Sequence, residues 1–292
     1  MNRLLCVTAA ASLATFVGGC DLQKTGSQIK AEKTLVATLL ATPPVVLDPA
    51  TLAGLDAGTF DAGTIPVDGG TVTLPPQTAA FVFWGERDNS ALDQPPEPLT
   101  GAEITVGAEG GTTFELKEVG DGNYQLTSQD DDAFAYQPRA DYVFTVEHEG
   151  ETHVARVEDT PELEQIPDLH PSQGFVDHPA GTPLTLHRPP PVGKERNLGF
   201  VTVFPLSESG ERGQPTWTNV PDEPLEFLKL AARPGDWRKD TITVDGSAFP
   251  EPNRTYLLVM QAVKLGGAES ANLFKASPVL AGTAEVGVFR TR

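Results

Sequence analysis

From Leu74 onward, apolar and polar residues alternate in short runs separated by turn residues. "AAFVFWG" (79–85) is a continuous apolar run, "AEITVG" (102–107) alternates, and "TFELKEVGDGNYQLTS" (113–128) is two runs joined at Gly120-Asp121-Gly122-Asn123. A period of two sends successive side chains to opposite faces, so each run reads as a strand, and the Gly/Asp/Asn junction reads as a hairpin turn. "DYVFTVEHEGETHVARVED" (141–159) predicts a further pair folding back near Glu149-Gly150. The second half has the same texture: "PLTLHR", "GFVTVFPL", "PTWTNV", "TITVDGSAF", "TYLLVMQAV" and "AEVGVFRT".

Upstream, "TLVATLLATPPVVL" (34–47) reads as a first strand stopped by Pro43-Pro44, although "AEKTLVATLLA" would also suit a helix of about three turns. Between Leu55 and Thr71 the unit Asp-Ala-Gly-Thr occurs twice and then decays, which marks 52–73 as a flexible low-complexity insertion. One short helix is predicted over 224–232, with Pro224 in its first turn and Pro234-Gly235 ending it. "TPELEQIPDLHP" (160–171) holds three prolines and no strand pattern, so it marks a boundary. The expected architecture is all-β: two β-sandwich domains in tandem, 34–160 and 161–292, with the one short helix in the second.

Glycine (28) and proline (26) are frequent, as a turn-rich β chain requires. The net charge of -19 argues against a nucleic-acid partner, because an acidic surface repels phosphate backbones. At the N-terminus Arg3 precedes an apolar stretch, Leu4 to Val17, too short to span a bilayer as a helix, which needs about 20 residues. This is the layout of a secretory signal.

That stretch ends in Val17-Gly18-Gly19-Cys20, which resembles the lipobox of bacterial lipoproteins. The resemblance implies a signal peptide over 1–19, cleavage before Cys20, a diacylglycerol on its thiol and an acyl chain on its new amino group. Two or more chains anchor a protein stably. The expected location is therefore outside the cytoplasm, attached to a bacterial membrane, with residues 20–33 as a flexible membrane spacer. Cys6 would leave with the signal peptide, so no thiol would remain for a disulfide, a metal or nucleophilic catalysis.

Candidate chemistry is sparse. "EHEGETH" (147–153) is similar to the zincin signature, but His148 and His153 are five apart around a glycine. Zinc on a helix needs them four apart, and in a strand an odd separation parts them unless the turn restores the match. His170, His178 and His187 lie with Asp168 and Asp177 in a proline-rich stretch. Asp130, Asp131 and Asp132 are consecutive between two strands, a hard-oxygen cluster of the kind that takes calcium at the end of a sandwich. Trp217 and Trp237 flank turns and are candidate platforms for a sugar ligand, whereas Trp84 ends an apolar run and reads as packing. No G-x-S-x-G elbow, no S-x-x-K followed by K-T-G and no phosphate loop is present, and no catalytic residue is assigned.

"AYQPRADYVFTV" (135–146) and "AFPEPNRTYLLVM" (248–260) share a rhythm: alanine-aromatic, proline, a polar turn, then tyrosine opening an apolar strand. Tyr142 and Tyr256 resemble the tyrosine corner of immunoglobulin and fibronectin type III folds, which implies that each phenol bonds back to the turn before it. The resulting expectation is a non-catalytic binding or structural module contacting an envelope protein or glycan. The competing readings are a polysaccharide-directed hydrolase and a calcium-dependent adhesion module.

Overall fold

The alternating runs at 33–42 and 77–86 pair antiparallel over their whole length, from Lys33 opposite Glu86 to Thr42 opposite Gln77. The computed structural model describes residues 22–47, 67–68, 71–88, 95–169, 175–193, 195–207, 212–221, 230 and 233–292. A helix, α1 (Leu22–Lys30), comes first. The first half then supplies β1 (Lys33–Thr42), β2 (Val45–Leu47), β3 (Val67–Asp68), β4 (Thr71–Leu74), β5 (Gln77–Glu86), β6 (Glu97–Pro98), β7 (Glu103–Ala108), β8 (Thr113–Gly120), β9 (Asn123–Thr127), β10 (Tyr142–His148) and β11 (Glu151–Val157). The second half supplies β12 (Val176–His178), β13 (Leu184–His187), β14 (Leu198–Leu206), β15 (Trp217–Thr218), β16 (Thr241–Val244), β17 (Thr255–Ala268) and β18 (Val279–Thr291).

The fold is an all-β sandwich, as expected, and its halves share strands. In the first half β1, β5, β9, β8, β7, β10 and β11 lie side by side in that order. A register shift between Glu118 and Gly120 lets β8 turn from one sheet to the other. At the far side β11 meets the end of β17 at Ala155–Ala268 and Arg156–Gly267. β17 then pairs with β18 from Thr255–Arg290 to Gly266–Val279. β18 returns to β1 in parallel, from Ala37–Val279 to Ala41–Thr283, and the circuit closes.

The opposite ends of the same two strands build the second half. There β12, β18, β17, β14 and β15 form a sheet packed against the two-stranded β13–β16 pair. The first core includes Leu35, Trp84, Phe144 and Val157, and it takes in Leu273, Val279 and Ala281 from the end of the chain. The second contains Val203, Leu258, Phe289 and Val244, with Ile166 and Leu169 from the stretch expected to be a boundary. A third, smaller cluster joins Phe200, Val263 and Leu280 to Leu40 of β1.

These pairings correct three expectations. The division at 160/161 is not a division in space, because both halves need the β17–β18 hairpin. Nor is the boundary stretch a loose linker: Ile166 is fully buried, and Glu164 receives both arms of the buried Arg188 guanidinium at 2.8 Å. Residues 22–30 of the expected flexible spacer are α1, a helix held to the body by the buried Gln28, which donates to two backbone carbonyls. The helix expected at 224–232 lies outside the described residues except Leu230, which is helical and buried. Of the insertion at 52–73, only 67–68 and 71–73 are described, and they belong to a small sheet, β2-β4-β3.

Both tyrosine corners are present. Tyr142 Oη accepts from Gln137 N–H at 2.8 Å, and Tyr256 Oη accepts from Glu251 N–H at 3.3 Å, each five residues back. Replacing Tyr142 with phenylalanine strands the Gln137 N–H and is expected to cost about 1–2 kcal/mol in denaturant unfolding, with a smaller loss for Tyr256→Phe. The closure seam gives a sharper test, since a Cβ on Gly266 would lie 1.9 Å from Arg156 O, while one on Gly267 meets nothing nearer than 3.6 Å. Gly266→Ala should lose about 3 kcal/mol. Gly267→Ala should stay within about 0.5 kcal/mol, and equal effects at both positions would refute the seam.

Candidate functional site

The residues that follow the expected anchor are held against the far end of the chain. Gln28 is almost completely buried, and its Nε2 donates to Ala268 O and Ser270 O, both at 3.0 Å. Lys275 N donates back to Gln28 O, Phe274 N donates to Lys33 O, and Leu35 N donates to Ser277 Oγ. The connection from β17 to β18 thus clamps α1 and the start of β1. Beside it the Arg87 guanidinium lies 3.7 Å from the Phe274 ring centroid, a cation–π contact.

Beneath that clamp lies a buried polar cluster that alternation did not predict. A two-residue turn at Glu149-Gly150 sets His148 opposite Glu151 and Val146 opposite His153, so the two histidines share one face. The turn restores the match. Both rings pack on the fully buried Trp84 indole, with centroids at 6.0 Å for His148 and 4.9 Å for His153. His153 is 0% exposed and neither of its nitrogens has a hydrogen-bond partner; Trp84 Nε1 and His148 Nδ1 are likewise unpartnered. Glu151 Oε2 is nearest to His153 Nε2 among carboxylates, at 3.7 Å. Burial pushes the His153 imidazole below its usual value, against a weaker opposing pull from Glu151. Zincin-like chemistry does not follow, because the pair sits on a hairpin among core side chains.

The other sequence candidates are dispersed. Asp130 turns inward on its own loop: Oδ2 accepts from Thr127 Oγ1 at 2.7 Å and Thr127 N at 3.1 Å, and these bonds hold its carboxyl below the usual range. Asp131 Oδ1 accepts from Ala133 N, while Asp132 is exposed. Asp130 and Asp131 therefore serve a turn, and among the described residues no group of three His, Cys, Asp or Glu is gathered as a metal would need. His178 packs on Phe249 and bonds to Thr182 O at 2.8 Å, His187 is exposed and meets Asp168 at 3.1 Å, and His170 lies outside the described residues. Trp217 is half-buried against the second core. Trp237 packs on the third cluster, with its Nε1 donating to Asn219 O at 3.2 Å. Cys20 lies outside the described residues.

One cleft of about 380 Å³ opens at the second tyrosine corner, lined by Pro205, Arg212, Pro250, Glu251, Arg254 and Tyr256 among others. Glu251 is the one carboxylate among its described lining residues, and it is paired with Arg254 at 2.8 Å. Glycosidic cleavage uses two such groups. Nothing in the sequence marks this cleft beyond the corner motif itself.

No family model and no curated protein matches the chain. Among solved structures it is similar to trypsin-activated alpha-2-macroglobulin from Escherichia coli, at 8% identity and TM-score 0.23, over 95% of this chain but only 17% of that one. It is also similar to the FN1–FN3 domains of chicken CNTN1, at 9% identity and TM-score 0.21, over 89% of this chain and 96% of that one.

The buried imidazole gives a pH signature. Its folded value lies below the unfolded 6.5, so it favours the fold fully above pH 6.5, and that contribution drains away as pH falls through the folded value. Melting temperature should decline on acidification in this window, and His153→Phe should flatten the decline. An unchanged slope in the variant would refute the assignment.

Proposed function

We propose that this chain is a lipid-anchored protein of a bacterial envelope, a non-catalytic binding or structural module for an envelope protein or glycan. The observation that carries the reading is the docked α1. A folded body begins two residues after Cys20, and the clamp by residues 268–277 ties that start to both ends of the β scaffold. Acyl chains on Cys20 would therefore tether one closed, strand-sharing body directly to the bilayer surface. Contacts with neighbours would fall to exposed loops and sheet edges, such as the short β15 with Trp217.

The anchor is tested by Cys20→Ala, followed through membrane fractionation and mass determination of the N-terminus. The variant should keep its leader uncut at residue 19 and lack the mass of the acyl chains, whereas the parent should be cut there and carry that mass. A variant that is processed at the same bond and partitions with membranes like the parent would overturn the reading.

A further inference from the structure

The first and last strands of the body both lie inside the sheet, and they leave it at opposite ends. β1 has β5 on one side over ten residue pairs and β18 on the other over five. Ahead of the β18 pairs, that same side of β1 is filled by the β17–β18 connection: Phe274 N donates to Lys33 O at 2.8 Å, Leu35 N donates to Ser277 Oγ at 3.1 Å and Ala37 N donates to Pro278 O at 3.0 Å. β18 has β17 on one side over twelve pairs. On its other side it has β1 near its start and β12 at its end, from Val176–Phe289 to His178–Thr291. Neither is an edge strand, and both are pinned by their side chains as well, since Leu35, Ala37 and Leu39 of β1 and Val279, Ala281 and Phe289 of β18 are buried.

Because β1 and β18 run parallel, the direction of a pull decides how their bonds are stressed. Ala37 faces Val279, so Lys33 lies four residues before that pair and Thr291 twelve residues after it. At roughly 3.3 Å per residue the two points are about 50 Å apart along the strands. A pull that draws Lys33 back and Thr291 forward slides the strands past each other, and the ladder bonds, which run across the strands, all resist together. A pull on Lys33 against the β17–β18 connection, at the same end, opens those bonds one after another. Cys20, the expected anchor, enters the body on the Lys33 side. At the Thr291 end the cleft is tied to β18, because Thr291 Oγ1 donates to Glu251 O at 2.7 Å and accepts from Arg254 N at 2.9 Å. We infer that the body is a tension-bearing link, which holds its fold when an envelope neighbour gripped at the second tyrosine corner pulls against the bilayer. This rests on the anchor at Cys20 and adds a mechanical task that the strand order serves.

The test uses the full chain with Cys6→Ser, which leaves Cys20 as its one native thiol. It is held in an optical trap by DNA handles, one on Cys20 and the other on either Arg292→Cys or Ala271→Cys, both exposed positions. Forced unfolding reports the barrier to unfolding along the direction of the pull. Detachment of α1 is an early, small step in either direction. Release of β1 should then need a several-fold higher force in the 20/292 pair than in the 20/271 pair, in one cooperative step, while the melting temperatures of the two variants agree. Equal forces in the two directions, or a weaker 20/292 pair, would overturn the mechanical role and leave the anchor standing. A Cys20→Ala variant that is processed and fractionates with membranes like the parent would overturn the membrane end of the link even if the forces differ, so the two failures are told apart.

Discussion

The pairing of β17 with β18 is the constraint on which everything else depends. Twelve consecutive residue pairs hold these strands together, and neither core is complete without them. Their backbones approach each other, and β11, unusually closely where the two halves meet. A Cβ at Gly282 would stand 2.0 Å from Ala262 O, and the one at Gly266 would press on β11 just as hard. Glycine there removes the side chain that would force the ladder open. The hairpin thereby passes from one sandwich into the other while keeping its hydrogen bonds.

Charge reinforces the seam that glycine permits. Arg156, on the strand that meets β17, forks onto Glu109 at 2.7 and 2.9 Å and reaches Glu269 at 3.0 Å. Three segments distant in sequence are thus joined at the closure point. The side chains partly retain solvent contact, so the network specifies register more than it adds stability. Arg188 and Glu164 do the comparable work inside the second half, where both side chains are nearly or fully buried and removal of either would leave a charge stranded. In both places arginine provides a planar fork that lysine lacks.

The strands were legible in the sequence because alternation and turn residues are local signals, and the tyrosine corners because a five-residue bond back to a turn is local too. The closure was not legible. β1 pairs with β18 across more than 240 residues, and no periodicity encodes a partner so far away. α1 was read as spacer because "LQKTGSQIK" is polar and contains a glycine, and its helix is stabilised by Gln28 meeting carbonyls near the other end of the chain. The polar cluster at Trp84 was hidden for a related reason. His148 and His153 share a face only because the turn takes two residues, and their distance from the indole depends on β5 lying across the core.

The parallel pairing of the first strand with the last has a consequence for the order of events in folding. The first core cannot close from its own half of the chain, since it also needs β18, more than 240 residues beyond β1. Contacts of such wide separation are slow to form, because the entropy of closing the loop is lost before the pairing is gained. The end of β11 remains an open edge until residues 267–268 arrive, and one side of β1 until 279–283 do. The two halves therefore lock together as a unit, and only when the β17–β18 hairpin is in place.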